Sequence, residues 1–296
     1  MKAIIGLVLN YRDPVRTTRC VQSLLEGGTK GVWVWDNSED EGASYASLKQ
    51  EWAGCERVWI FQSPCNLGFA MGVNCAMEAI LDRHPDVWIM LINDDAVLHK
   101  GALLRLAKAL SETDYPLAYP QIKQGRDTIG IVFYQRHFAL LTFNKHLPGS
   151  FGYPTGCALL IAPERIALPL FDEDFFMYGE DVMLGWRLGV ENMVYVPDAV
   201  VFHEGRPATE AGSVFYEARV VAGHWILARK LARNTLEHKL LVAGRCLSLT
   251  ARALLRSISR GSLRPILGFL QGAKLARGQD PALRRARQVS AALRCR

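Results

Sequence analysis

No apolar run in this 296-residue sequence reaches the ~18 residues that a helix needs to span a bilayer. No C-x-x-C pair occurs among the seven Cys, which stand at 20, 55, 65, 75, 157, 246 and 295. An odd, scattered set reads as reduced thiols in a cytoplasmic protein without a structural zinc site. The N-terminal apolar run is too short for a signal peptide and lacks a small-residue cleavage site. Gly-Lys-Ser/Thr is missing, which excludes a P-loop, and no glycine cluster has the dinucleotide-fingerprint spacing. Internal repeats and low-complexity tracts are absent as well. The expectation is a chain that is soluble or lies on a membrane surface.

What is present is ordinary globular composition, 50% hydrophobic and 22% charged, with an unusual distribution of charge. From Gly205 onward the net charge is +14, whereas Met1–Glu204 carries −8. An acidic body with a basic tail implies two parts with different partners.

Four fully apolar segments, Ala3–Leu9, Gly31–Trp35, Val58–Phe61 and Val87–Ile92, suit parallel strands covered on both faces. Amphipathic stretches near Val15–Leu25, Ala43–Trp52, Ala70–Arg83 and Ala102–Ser111 alternate with them, as in a parallel α/β sheet. Such sheets bind ligands beyond the carboxyl ends of their strands. Those ends carry Asn10, Asp36, Asn66 and Asn93-Asp94-Asp95. Further on, Gly130–Tyr134, Phe138–Phe143 and Cys157–Ile161 have strand character. A helix is expected near Asp181–Leu188, a strand near Ala199–Phe202, and helices from about Gly212.

Three motifs carry chemistry. Asp94 and Asp95 repel one another, a cost that a divalent cation bridging to phosphate removes. The competing reading is a helix N-cap. Phe171–Asp181 packs five carboxylates among four aromatics and a Met. Aromatic walls raise a carboxylate's pKa, which suits a general base. The alternative is an acidic loop with Glu180-Asp181 stabilising the start of the next helix. His203 stands at a strand end, 22 residues after Asp181, where it could ligate a metal or simply pack. Asn66–Asn74 joins a strand to a helix through two glycines that let a ligand approach the backbone.

In order, Val8–Tyr11, Val34–Ser38, Asn66–Ala70, Leu91–Asp95, Thr155–Cys157, Phe171–Asp181 and Val196–His203 resemble the family 2 glycosyltransferases, in particular their rhamnosyltransferase-like branch. The resemblance implies an α/β GT-A fold, Rossmann-like with a mostly parallel central sheet. The catalytic domain would span 1–210 (nucleotide part about 1–115, acceptor part about 116–210), with a basic helical extension over 211–296. It implies an inverting transfer from a nucleotide sugar, with Mg²⁺ or Mn²⁺. dTDP-L-rhamnose is the first expectation for the donor and a UDP-sugar the second. The acceptor would be a saccharide, often lipid-linked, in bacterial surface or cell-wall polysaccharide synthesis on the cytoplasmic side of the inner membrane. Asp36 would bind the nucleobase in a pocket lined by the backbone of Leu9, Asn10 and Tyr11, with Asn66, Gly68 and Asp94 near the donor. Asp95, His203 and Asn93 would hold the metal, and Asp181 would be the base, with Glu180 beside it. Two departures stand out: Met183 replaces a common Asp, and Ala218-Arg219-Val220 lacks the common Arg-Asn pair.

In the tail, Arg245, Arg252, Arg256 and Arg260 share one helical face, with Leu247, Ala251, Leu254, Leu255 and Ile258 on the other. Either the Arg face docks on an anionic membrane surface, or the helix packs on the catalytic domain with its Arg in water. Nucleic acid is not an expected partner, because the tail has few aromatics for stacking. Two other functions compete with transfer. A nucleotidyltransferase would want a Gly-rich basic loop after the first strand, and Asn10–Pro14 contains no Gly. A catalytically dead sugar- or lipid-binding scaffold would not need Asp95, Asp181 and His203 together.

Overall fold

A computed structural model describes residues 2–205 and 212–295; the expected domain boundary between 210 and 211 lies outside them. The N-terminal half alternates as expected: β1 (Ala3–Asn10), α1 (Pro14–Glu26), β2 (Gly31–Asp36), α2 (Ala43–Glu51), β3 (Val58–Gln62), α3 (Gly68–Arg83) and β4 (Val87–Asn93). Then come β5 (Ala96–Leu98), α4 (Ala102–Ser111), β6 (Leu117–Gln124), β7 (Asp127–Ile129), β8 (Val132–Gln135), β9 (Leu140–Thr142), β10 (Ser150–Tyr153) and β11 (Ala158–Ile161). The chain continues through α5 (Glu180–Leu188), β12 (Val194–His203), α6 (Val214–Lys230), α7 (Thr235–Arg260), α8 (Arg264–Ala276) and α9 (Pro281–Arg294).

Among the described residues the main sheet has nine strands, in the order β3-β2-β1-β4-β11-β6-β12-β5, with β7 added to β6. Strands β3, β2, β1 and β4 pair in parallel. β11 then inserts antiparallel between β4 and β6. One core lies on each face of the sheet, and both use the four apolar N-terminal strands. That double covering is why those strands read as continuous hydrophobic runs. A separate three-stranded sheet, β10-β8-β9, packs with α5, α6 and α7 in a third core.

The central β6 has no clear signal in the sequence because Pro120 lies within it, opposite Val196 of β12. Proline removes a ladder donor and normally argues against a central strand. β12 carries an irregularity between Val196 and Val200, where Pro197-Asp198 interrupts the register.

The tail departs from both expectations for its arginines. Its helices do pack on the body, but through the Arg face. Arg245 is 0% exposed and donates to the His224 carbonyl (2.9 Å) and the Tyr134 hydroxyl (3.3 Å). Arg252 donates to the Ala139 carbonyl. Arg256 and Arg260 take the two oxygens of the buried Glu217 at 2.8 and 2.9 Å. Burial, with Arg252 and Arg245 alongside, pushes the His224 imidazole down to about 3, so it stays neutral among these cations. The residues facing solvent are the leucines: Leu247 is 69% and Ile258 79% exposed. The helix is amphipathic as expected and turned the opposite way.

This orientation predicts a sharp contrast. Arg245→Ala should cost about 2–4 kcal/mol in denaturant unfolding, from a cavity and two orphaned acceptors. Leu247→Ala should stay within about 0.5 kcal/mol, as at an open surface.

Candidate active site

The carboxyl ends of β1, β2 and β4 meet side by side, because Asn10 pairs with Asp36 and Leu9 with Asn93 in the parallel ladders. Leu9 leans against Gly72 of α3, and Leu9 and Asn10 close the β1 ladder beside Trp35 and Asp36, with Tyr11 following. Asn10 is fully buried. Its amide donates to Asp36 Oδ1 (2.7 Å) and Ser38 Oγ (3.0 Å) and accepts from Thr17. Ser38 donates to the same Asp36 oxygen and accepts from the backbone of Arg12. Asp36, itself buried, is thus held in one orientation by neutral donors at the carboxyl end of β2.

Asn37, next in the chain, has a role that sequence reasoning missed. Its amide nitrogen donates to Asn66 Oδ1 and to the Gly68 carbonyl, both at 3.0 Å, and its oxygen accepts from the Leu67 backbone. Asn66 also accepts from the Gly68 N–H. The loop expected near the donor is therefore strapped to the end of β2. Position alone could have suggested this, since Asn37 directly follows Asp36. Gly68 adopts φ +75°, and a Cβ there would overlap the carbonyl and ring of Phe176. Glycine is required at this point by conformation and by space.

Asn93-Asp94-Asp95 does not cap a helix: the chain turns directly into β5, and α4 begins only at Ala102. Asp94 instead accepts from the Tyr11 backbone N–H at 3.1 Å, tying the β4 end to the β1 end. Asp95 Oδ1 lies 3.1 Å from His203 Nε2, at the end of β12. The Glu204 N–H donates to the Asp95 carbonyl, and Glu204 also pairs with Arg16 and Arg19 of α1. Asn93 stands two residues before Asp95, and its backbone N–H donates to the Cys157 carbonyl at 2.9 Å.

That last bond connects the two halves of the site. Gly156, beside Cys157, donates its N–H to Asp181 Oδ2 at 3.4 Å. A methyl group placed on Gly156 would touch both the Phe69 ring and the Asp181 Cβ, at 3.5 and 3.6 Å. The absence of a side chain at Gly156 leaves that space open beside the carboxylate.

Glu180 and Asp181 open the first turn of α5, as the helix-start reading expects. Asp181 Oδ1 accepts from the Val182 N–H. Burial raises the Asp181 pKa above the usual carboxylate range, against the pull of those backbone donors. Glu180 is raised further, by burial and by the Asp181 charge. Its Oε2 is buried with no hydrogen-bond partner among the described residues. Two adjacent carboxyls, one buried and one half-buried, cannot both ionise cheaply, so Glu180 holds its proton more tightly.

The other three acids of the loop serve structure. Asp172 and Asp174 pair with Lys230, Asp174 also with Arg287, and Glu173 with Arg294 of α9. Met183, standing where an Asp is common, packs into the third core. Arg219 is buried against Asp280 and stacks on Phe176 at 4.2 Å.

No group of three or more His, Cys, Asp and Glu side chains gathers into a metal cage among the described residues. Asp95 and His203 nevertheless fit a cation that takes its remaining ligands from water and a bound diphosphate, the usual arrangement for Mg²⁺ at phosphates. A carboxylate beside an imidazole also suits Mn²⁺.

Comparison with curated proteins found no match. Solved structures share the fold. GalNAc-T7 with UDP, GalNAc and Mn²⁺ aligns over 75% of this chain at 13% identity and TM-score 0.57. The chain spans 47% of that protein's length. Staphylococcus aureus TarS aligns over 98% of this chain and 88% of its own, at 13% identity and TM-score 0.53. The mannosyltransferase PcManGT from Pyrobaculum calidifontis, in complex with GDP-Man and Mn²⁺, aligns over 99% and 85%, at 14% identity and TM-score 0.52. At such identities the likeness establishes the fold, a mostly parallel α/β sheet of GT-A type with C-terminal helices. Residues 7–163 match the family model for glycosyl transferase family 2, more than half of the sequence, and the chain belongs to that family.

Proposed function

We propose that the protein is an inverting glycosyltransferase that moves a sugar from a nucleoside diphosphate to an acceptor hydroxyl. One observation carries the reading. The hydrogen bond from Asn93 to Cys157 ties the β4 end, followed by Asp95 opposite His203, to the segment whose Gly156 N–H donates to Asp181 at the start of α5.

Each group has a distinct task. Asp36, fixed by Asn10 and Ser38, offers its carboxylate to a nucleobase at the rim formed by Leu9, Asn10 and Tyr11. Asn66 and Gly68, held by Asn37, lie where the diphosphate and sugar would rest. Asp95 and His203, with Asn93 nearby, would hold a divalent cation. When bound, that cation stabilises the charge that develops on the departing diphosphate. Asp181 takes the proton of the attacking hydroxyl, a contribution of about 10²–10⁴-fold. Burial raises its proton affinity and leaves it ionised over the upper part of the neutral range. Glu180 stays protonated more readily and does not compete as base. One displacement from the side opposite the diphosphate inverts the anomeric centre.

A rhamnosyl donor carried on dTDP is the finer reading for the sugar, with a UDP-sugar next; the support is the motif pattern of the sequence. The acceptor class that suits this reading is a saccharide on a lipid carrier, met at an anionic membrane surface. A nucleotidyltransferase is disfavoured, because the β1–α1 connection spends its Arg12 on the Ser38 and Glu39 carbonyls and has no glycine.

Asp181→Asn should lower kcat by at least about 10²-fold while nucleotide affinity stays within a few fold, measured by turnover and calorimetry. Retention of most turnover would remove Asp181 from the role of base. Because the working form is ionised and its pKa is raised, the rate should climb with pH through a limb above the ordinary carboxylate range. A limb near pH 4 in the kcat profile would contradict this. In a thermal-shift screen, nucleoside diphosphates should raise Tm more with Mn²⁺ than without it. Asp95→Asn and His203→Ala should each erase the Mn²⁺-dependent part.

A further inference from the structure

The outward face of α7 remains without a partner. Leu240, Leu247, Leu254, Leu255 and Ile258 are all half or more exposed. They form a stripe along a single helix, about 27 Å long at 1.5 Å per residue. No charged residue interrupts that outward stripe, because the helix's internal arginines are turned toward the body. Beside it runs the β8–β9 hairpin, held by Arg252 on the Ala139 carbonyl and by Gly244 against His137 and Phe138. The hairpin adds Leu141 and Phe143, at 59% and 72% exposure. Exposed apolar surface on this scale marks an interaction site.

We propose that this leucine face of α7, together with the β8–β9 hairpin, inserts into the interfacial layer of an anionic lipid bilayer. Charge selects the occupant. Between Glu237 and Asp280 the sequence has eight Lys and Arg and no acid. Exposed Lys239 stands at one end of the stripe and exposed Arg264 just past the other, with Lys145 following the hairpin. Four of the eight, Arg245, Arg252, Arg256 and Arg260, are turned toward the body, but a second copy of this chain would still bring Lys239, Arg264 and Lys145 at the margins of the face against their own kind, whereas anionic headgroups neutralise them. The geometry is that of an interfacial helix, apolar side down with cations at its margins. No described helix is long and apolar enough to cross the bilayer, so the contact is peripheral. The surface stands on these residues alone; that it would bring a lipid-linked acceptor to the cleft rests on the transferase reading.

The test is co-sedimentation of the whole protein with vesicles of equimolar phosphatidylcholine and phosphatidylglycerol at low salt, against phosphatidylcholine alone. The expected result is binding to the anionic vesicles that weakens with salt. The triple variant Leu247→Glu/Leu254→Glu/Ile258→Glu should lose at least about tenfold in partitioning, with unfolding temperature and nucleotide binding unchanged. Exposed Cys246 on α7 gives a second readout that needs no disruption of the stripe. In a Cys295→Ser background, an environment-sensitive dye on Cys246 should shift to the blue with anionic vesicles. Equal binding by the triple variant, or no binding and no shift in the parent, overturns the proposal. Self-association in sedimentation velocity that the triple variant abolishes, without vesicle binding, assigns the face to a second copy instead. Absence of sugar transfer by the unaltered protein, with its vesicle binding intact, would count against the transferase reading and leave the docking surface standing.

Discussion

The antiparallel insertion of β11 beside β4 is the constraint on which the site depends. A purely parallel sheet would present only its own strand ends, with the acidic loop elsewhere. Because β11 runs the other way, its beginning lies at the carboxyl end of β4. The residues just before β11, Gly156 and Cys157, therefore meet Asn93. One hydrogen bond brings the β4 end to the segment whose Gly156 N–H reaches Asp181. The same seam extends to β12, where His203 reaches Asp95 and Glu204 anchors to α1.

Around this seam the charge asymmetry of the sequence resolves into contacts. The acidic loop and the basic tail face each other. Lys230, Arg287 and Arg294 neutralise Asp172, Asp174 and Glu173, and α9 lies against α3. These pairs are partly exposed and each contributes modestly. Together they hold the loop whose far end carries the buried Glu180 and the half-buried Asp181. The loop thus divides its acids: three paired at the surface and two desolvated at the helix start.

Much of this was legible in the sequence, and the reasons are specific. Strands β1 to β4 were plain because burial on both faces leaves only apolar residues, and the helices between them follow their amphipathic period. The polar residues at the strand ends stood out because they interrupt those runs. β6 was hidden by Pro120 and by its polar end. Asn37 was overlooked because its role is to hold other loops, which no local pattern announces. The tail shows a different limit. Periodicity reveals that a helix has two faces and says nothing about which one turns inward. Long-range partners decided it: Glu217, Tyr134 and the His224 carbonyl, far away in sequence, supply acceptors that a leucine face could not use. A guanidinium with several fixed acceptors can be buried.

The packing of Phe176 over Gly68 has a further consequence for how such a protein can diverge. The carbonyl of Phe176 takes the Phe69 N–H at 2.7 Å, and its ring lies where a side chain at 68 would grow. The two stretches are more than a hundred positions apart, yet neither can drift alone. A lineage that changed residue 68 would have to rebuild the loop around Phe176 in the same step. This contact therefore couples two loops into a single heritable unit.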